Sequence, residues 1–231
     1  MIEGSRVLGV ITARGGSKGV PRKNVRNIAG KPLIGWTIEE AKKSQYLDNL
    51  ILSSDDEEII SVAQSFECEV PFIRPSELAL DGTLGIEPVL HAIDNVKGYD
   101  YVVLLQPTSP LRSAIDIDRC IEICIAEGYP SCVSVSESIK SPYWMYKLNV
   151  DGTLDPLLKI ENRLATRQEL PVSYVLNGAI YVAKIGWLKE QKSFLHKETG
   201  AYIMPQERSY DIDTAMDFEF VEFLMKKRSE C

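Results

Sequence analysis

Short apolar runs alternate with stretches of helical periodicity from Val7 to Val135, and that alternation constrains the fold more than any other feature of the chain. Residues 7–13 are apolar, few and followed by glycines, which reads as a buried strand. Pro32 opens a helix predicted to run to about Ser44, with Leu33, Ile34, Ile38 and Ala41 on one face. Residues 50–53 are the next strand. Ser54 and Glu57 then form a capping-box pattern before Ile59, Ile60, Ala63 and Phe66. The series continues with a helix over 86–96 and a strand over 101–106 that stops at Pro107. Ile117, Ile121, Cys124 and Ile125 recur at helical spacing, and 132–135 reads as a strand. This order predicts an α/β fold, a mostly parallel sheet with helices on both faces. Ligands of such sheets bind beyond the carboxyl ends of the strands. The segments after Ala13 and after Leu105 are therefore the expected site.

The pattern changes after Ser136. Residues 143–148 and 153–158 flank Asn149, Val150, Asp151 and Gly152, the signature of a hairpin with an Asp-Gly turn. A polar stretch over 159–169 follows, and roughly 138–175 is read as an insertion on the main sheet. Strand character returns over 177–183 and briefly over 201–204. Thr214 is expected to cap a last helix whose Met216, Phe220, Phe223 and Leu224 face inward. The whole chain, 1–231, reads as one domain.

Composition removes several classes of function. A net charge of −7 argues against a nucleic-acid binder, yet a few local cations suffice for a small polyanion. No segment approaches the roughly 20 apolar residues of a membrane span, and the start of the chain reads as a buried strand, not a signal peptide. Five cysteines form no even framework and are read as reduced thiols of a cytoplasmic protein. Cys120 and Cys124 are expected to be small core residues rather than a metal pair. With only His91 and His196 present, neither a zinc site nor a histidine-based triad is expected.

Arg14, Gly15, Gly16, Ser17, Lys18 and Gly19 follow the first strand directly, with Lys23 and Asn24 just beyond. The glycines let backbone N–H groups approach an anion, and Arg14 and Lys18 add charge. The loop lacks the Gly-Lys-Ser/Thr ending of a Walker A motif and is not a GxGxxG fingerprint. On chemistry alone it is either a phosphate site or a solvated basic turn. Asp211 and Asp213 lie two apart, so in an extended segment both point to one side and could share a hard cation. Capping of the last helix is the other reading of Asp213.

The stretch 13–24, Ala-Arg-Gly-Gly-Ser-Lys-Gly-Val-Pro-Arg-Lys-Asn, resembles the N-terminal signature of the bacterial CMP-nonulosonic acid synthetases. These include N-acylneuraminate cytidylyltransferases and CMP-legionaminic acid synthases. The resemblance continues in Arg74-Pro75-x-Glu77-Leu78-Ala79, in 105–112, in Asn177-Gly178-Ala179-Ile180-Tyr181 and in Asp211-Ile212-Asp213. The blocks keep the family's order and span nearly the whole chain.

The resemblance implies a Rossmann-like, three-layer nucleotidyltransferase fold whose insertion is a dimerisation subdomain, hence a homodimer. It implies transfer of CMP from CTP to the anomeric hydroxyl of an acidic nine-carbon sugar, with release of pyrophosphate. Arg14, Gly15, Gly16, Ser17, Lys18, Asn24 and Arg74 would hold the nucleotide, Asn24 reading the cytosine. Asp211 and Asp213 would bind Mg²⁺, with Mn²⁺ able to substitute. Arg14, Lys23 and the two aspartates would form the catalytic set. Gln106, Arg167, Asn177 and Tyr181 would meet the sugar, Arg167 pairing with its carboxylate from the partner's insertion. Tyr181 alternates with Ala179, so plain packing is also open for it. Where some sialic acid synthetases carry a lysine, residues 141–145 read Ser-Pro-Tyr-Trp-Met, which leaves the sugar open. The competing readings are a CMP-Kdo synthetase and a non-catalytic nucleotide-binding relative.

Overall fold

The computed structural model describes residues 1–158 and 170–229. In chain order it runs β1 (Val7–Thr12), β2 (Asn27–Ile28), β3 (Lys31–Pro32), α1 (Leu33–Lys42), β4 (Asn49–Ser53), α2 (Glu57–Ser65), α3 (Glu87–Asn95) and β5 (Tyr101–Leu105). It continues with α4 (Ala114–Ala126), β6 (Ser131–Glu137), β7 (Tyr146–Leu148), β8 (Leu154–Pro156), β9 (Tyr174–Lys184), α5 (Ile185–Gln191), β10 (Gly200–Ile203) and α6 (Ala215–Ser229). The main sheet has the order β10-β6-β9-β5-β1-β4. β1 pairs in parallel with β4 and β5, and β10 with β6. β9 runs antiparallel to both of its neighbours.

Val7, Leu8, Val10 and Ile11 of β1 are all fully buried, as a central strand covered on both faces requires. One face packs Ile34, Ile38, Ile59, Ile117 and Ile121 from α1, α2 and α4. The other packs Val89, Ala92 and Ile93 of α3 with Leu188 of α5. Each Val, Leu and Ile among them stabilises the fold by about 2 kcal/mol through burial. The expected α/β architecture with helices on both faces is the one observed. Cys68, Cys120, Cys124 and Cys132 are free and buried, core residues as expected.

Two expectations needed correction. The N-cap of α2 is Asp56, whose Oδ1 accepts from the Ile59 N–H at 3.0 Å. Ser54 instead accepts from the Asp56 N–H at 3.2 Å, so the expected Ser54–Glu57 box does not form. Thr214 does cap α6, exchanging bonds with Asp217, but the helix faces the core differently. Phe218, Val221 and Met225 are buried and Leu224 packs beside them. Met216, Phe220 and Phe223 are exposed. The helix carries two apolar stripes, and specific contacts choose between them. Arg26 stacks over the Phe218 ring at 4.6 Å, and Glu222 accepts from the Ala29 N–H at 3.3 Å.

β7 and β8 form the expected hairpin as a separate two-stranded sheet. Main-sheet pairing persists to Glu137↔Tyr174, so Tyr174 and Val175 belong to β9. Because β9 is antiparallel, its start lies at the edge where the parallel strands end, and the hairpin leaves the sheet there. α5 carries no strong sequence signal and was not expected. Among the described residues, no helix is long and apolar enough to cross a membrane.

Candidate active site

A cleft of about 410 Å³ opens at the carboxyl ends of β1 and β5. The loop leaving β1 forms its floor. The Ala13 N–H donates to Ser53 O at 3.1 Å and the Gly15 N–H to Asp55 Oδ1 at 3.2 Å, which anchors the loop to the end of β4. A Cβ on Gly19 would lie 2.0 Å from Asp213 O, so only glycine lets the loop meet the C-terminal segment. Arg14, Gly16, Ser17, Lys18, Lys23 and Asn24 all line the cleft.

Each cation has a defined hold. Arg14 donates to Ala79 O at 3.3 Å and pairs with Asp81 at 2.9 Å. Lys18 meets the other oxygen of Asp81 at 2.6 Å. Lys23 donates to Ile212 O at 2.6 Å and lies 3.8 Å from Asp213 Oδ1. Arg74 is buried and donates from Nε to Ser53 Oγ at 3.1 Å and from its fork to Ser53 O. Burial pushes its pKa down to about 10, and the nearby Asp55 opposes that shift. It therefore stays charged at neutral pH. Asn24 is buried and its amide donates to Arg14 O at 3.1 Å.

The opposite end gathers Gln106, Gly178, Ser109 and Asp211. The Ile212 N–H donates to Thr108 O at 2.9 Å, which lays the 211–213 segment beside the turn after β5. Ser109 Oγ lies 3.5 Å from Asp211 Oδ1. Gly178 has φ +71, and a Cβ there would stand 3.4 Å from Gln106 Oε1 and 3.9 Å from Asp211 Oδ2. Burial raises the Asp211 pKa, the like charge of Asp213 adds to this, and Lys23 opposes it. Asp213 lines the cleft and is exposed, whereas Asp211 is half-buried, so the two carboxylates sit in different environments.

Gln106 also lines the cleft. Gly15 sits behind it, on the Asp55 side. Asn177 is buried, with its amide engaged by Ser134 Oγ at 2.6 Å, Ser209 Oγ at 3.0 Å and the Ala179 N–H at 3.2 Å. Tyr181 is half-buried, packs against Phe194 at 5.4 Å and feels the charge of Asp211. Arg167 lies outside the described residues. Sequence reasoning missed Asp81, which lies just past a matched block, and gave no role to Arg112, which ends the matched block 105–112 and could equally begin a helix. Arg112 donates to Ala179 O at 2.7 Å, Gln106 O at 3.2 Å and Thr37 Oγ1 at 2.9 Å.

Fold and cleft together define an α/β nucleotidyltransferase. The sequence matches the family model described as Cytidylyltransferase over residues 8–228, and the chain belongs to that family. It is similar to the CMP-N,N'-diacetyllegionaminic acid synthase of Legionella pneumophila, 36% identical over 97% of this chain and 98% of that one. The pseudaminic acid cytidylyltransferase of Campylobacter jejuni is 34% identical, over 96% of this chain and 97% of its own. The N-acylneuraminate cytidylyltransferase of Escherichia coli is 33% identical over 97% of this chain, which spans 53% of that protein. A solved CMP:2-keto-3-deoxy-manno-octonic acid synthetase, complexed with CTP, shares the fold with a TM-score of 0.73 at 18% identity, covering 97% of this chain and 100% of its own.

Proposed function

We propose that this chain transfers CMP from CTP to the anomeric hydroxyl of a nonulosonic acid, sialic acid or a bacterial analogue, and releases pyrophosphate. The observation that carries the reading is the convergence in one cleft of Arg14, Ser17, Lys18, Asn24 and Arg74 with Gln106 and Asp213. Arg14, Ser17, Lys18 and the Gly16 N–H bind the triphosphate, while Gly15 holds the loop against Asp55. Asn24 and Arg74 hold the nucleoside end. Gln106 positions the sugar, with Tyr181 and Asn177 shaping that end from β9 and Arg167 pairing with the sugar carboxylate. The sugar hydroxyl oxygen attacks the α-phosphorus in line as the bond to pyrophosphate breaks. The protein contributes positioning and charge stabilisation, Arg14 and Lys23 countering the charge that develops on the phosphates.

Asp211 and Asp213 are the residues that would hold Mg²⁺ or Mn²⁺. Their fit is supported by oxygen donors alone and by a like-charge strain on Asp211 that a divalent cation relieves. The ion supplies charge neutralisation at the phosphates when bound. The exposed apolar side chains of the hairpin, Trp144, Tyr146, Leu148 and Leu154 among them, support a homodimer built through the insertion. The protein works in the cytoplasm, without nucleic acid or membrane. Identities to relatives named for legionaminic, pseudaminic and N-acylneuraminic acids span 33–36%, so the reading is drawn at the level of the nine-carbon 2-keto acid. A panel of these sugars and Kdo, assayed for pyrophosphate release with CTP and Mg²⁺, tests it. Turnover with at least one nonulosonic acid is expected. Binding of CTP without release on any sugar, or preference for Kdo, would overturn it.

A further inference from the structure

Arg14 and Lys18 are already paired with an anion. Asp81 bridges them, one carboxylate oxygen 2.9 Å from Arg14 Nη2 and the other 2.6 Å from Lys18 Nζ. All three residues line the cleft. Asp81 does not come from the loop: it follows the turn Ser76–Ala79, which forms the facing wall. That wall touches the floor at a second point, since Ala79 O accepts from Arg14. A carboxylate spanning two cations occupies the same donors that a phosphate group would take, with fewer oxygens and no more charge.

We propose that Asp81 is an exchangeable counter-ion for the phosphates, a residue that sets how tightly the cleft holds pyrophosphate and therefore how readily it lets it go. The inference rests on the nucleotidyl-transfer reading given above. In the empty protein Asp81 neutralises Arg14 and Lys18 and keeps both side chains at the cleft. The triphosphate displaces it on entry. After transfer, pyrophosphate holds the same two cations with Asp81 beside it, so repulsion and competition both favour its departure. Asp81 is half exposed, with a side-chain accessibility of 53%, so it can swing into water without leaving a buried charge unpaired. Its carboxyl is held below its usual value by the hydrogen bond from Lys18, against desolvation, with Arg14 adding to Lys18. It is therefore an anion throughout the neutral range.

The test is calorimetric titration of the full chain with CTP and with inorganic pyrophosphate, Mg²⁺ present. Asp81→Asn is expected to bind pyrophosphate about three- to tenfold more tightly than the wild type, the scale of losing two partly exposed ion pairs. Asp94→Asn is the control. It removes the same charge at an exposed carboxylate paired with Lys97 and Lys189, away from the cleft, and should change binding less than about twofold. In a Lys18→Ala background the gain from Asp81→Asn should shrink, because one of the two exchanged pairs is already gone. Unchanged or weaker pyrophosphate binding in Asp81→Asn, or an equal gain in Asp94→Asn, overturns the inference while leaving the proposed reaction standing. A wild type that binds neither CTP nor pyrophosphate overturns both.

Discussion

The loop over residues 14–24 sends its charged groups to partners within the chain, whereas the hairpin of β7 and β8 sends its apolar groups to solvent. Arg14, Lys18 and Lys23 each meet an oxygen of a distant segment. Trp144, Tyr146, Leu148 and Leu154 meet little, though such side chains normally seek cover. The cation-lined end of the cleft is thus built by residues of one copy of the chain. The hairpin, which leaves the sheet where β9 begins, presents an apolar surface that one copy leaves uncovered. The contrast matches the division of labour in the proposed reaction: a constant nucleotide and a variable sugar.

The sharpest test of the nucleotide end is Asp211→Ala. Pyrophosphate release should fall by roughly 10²–10³-fold, the usual loss when one electrostatic contact to the reacting group is removed, with circular dichroism unchanged. The hairpin is tested by Leu148→Glu with Leu154→Lys. These residues face each other in register, so the opposite charges preserve the hairpin while removing its apolar face. Light scattering should show a monomer, CTP binding should stay within about twofold, and the sugar KM should rise by about tenfold, on the order of losing a contact residue at an interface. Loss of CTP binding in this variant would erase the distinction between the two ends.

Smaller effects refine the boundary between them. Arg112→Ala strands the carbonyls of Gln106 and Ala179 and should lower unfolding free energy by about 3 kcal/mol, read from denaturant midpoints. Gly178→Ala forces a left-handed residue and sets a methyl in contact with Gln106; a cost of about 1–2 kcal/mol is expected from the backbone. It should raise the sugar KM and spare that of CTP. The smallest effect is on pH dependence. Burial alone would raise the Asp116 pKa, but bonds from Arg208, Ser113 and Tyr202 outweigh it and hold the carboxyl below its ordinary range. A depressed folded-state pKa means stability present above the unfolded value and lost as pH falls through the folded one. The stability gap between wild type and Asp116→Asn should therefore narrow in acid, and a gap independent of pH would refute the assignment.

The nucleotide end was the more legible in sequence for a physical reason. A strand, three glycines and two cations occupy consecutive positions, so local spacing carries the information. Asp81 reaches 63 residues to Lys18 with no local pattern to mark it, and Arg112, though it ends the block 105–112, takes its role from Ala179, 67 residues away, which local spacing does not reveal. The rotation of α6 failed similarly. Both of its faces are apolar, and Arg26 and Glu222 decide between them only once the chain has folded. The cap of α2 failed more narrowly: Ser54 and Asp56 both suit the role, and the residue nearer the first helical turn took it.

Lys23 reaches across 189 positions to Ile212, beside the last carboxylate of the cleft. During synthesis, then, the floor and its cations are in place long before the aspartates that finish the site are translated. A nascent chain can gather the elements up to β5 and still have nothing with which to spend a nucleotide. Under the proposed reaction, competence would arrive only with the closing segment, and a prematurely released fragment would be inert rather than a wasteful hydrolase.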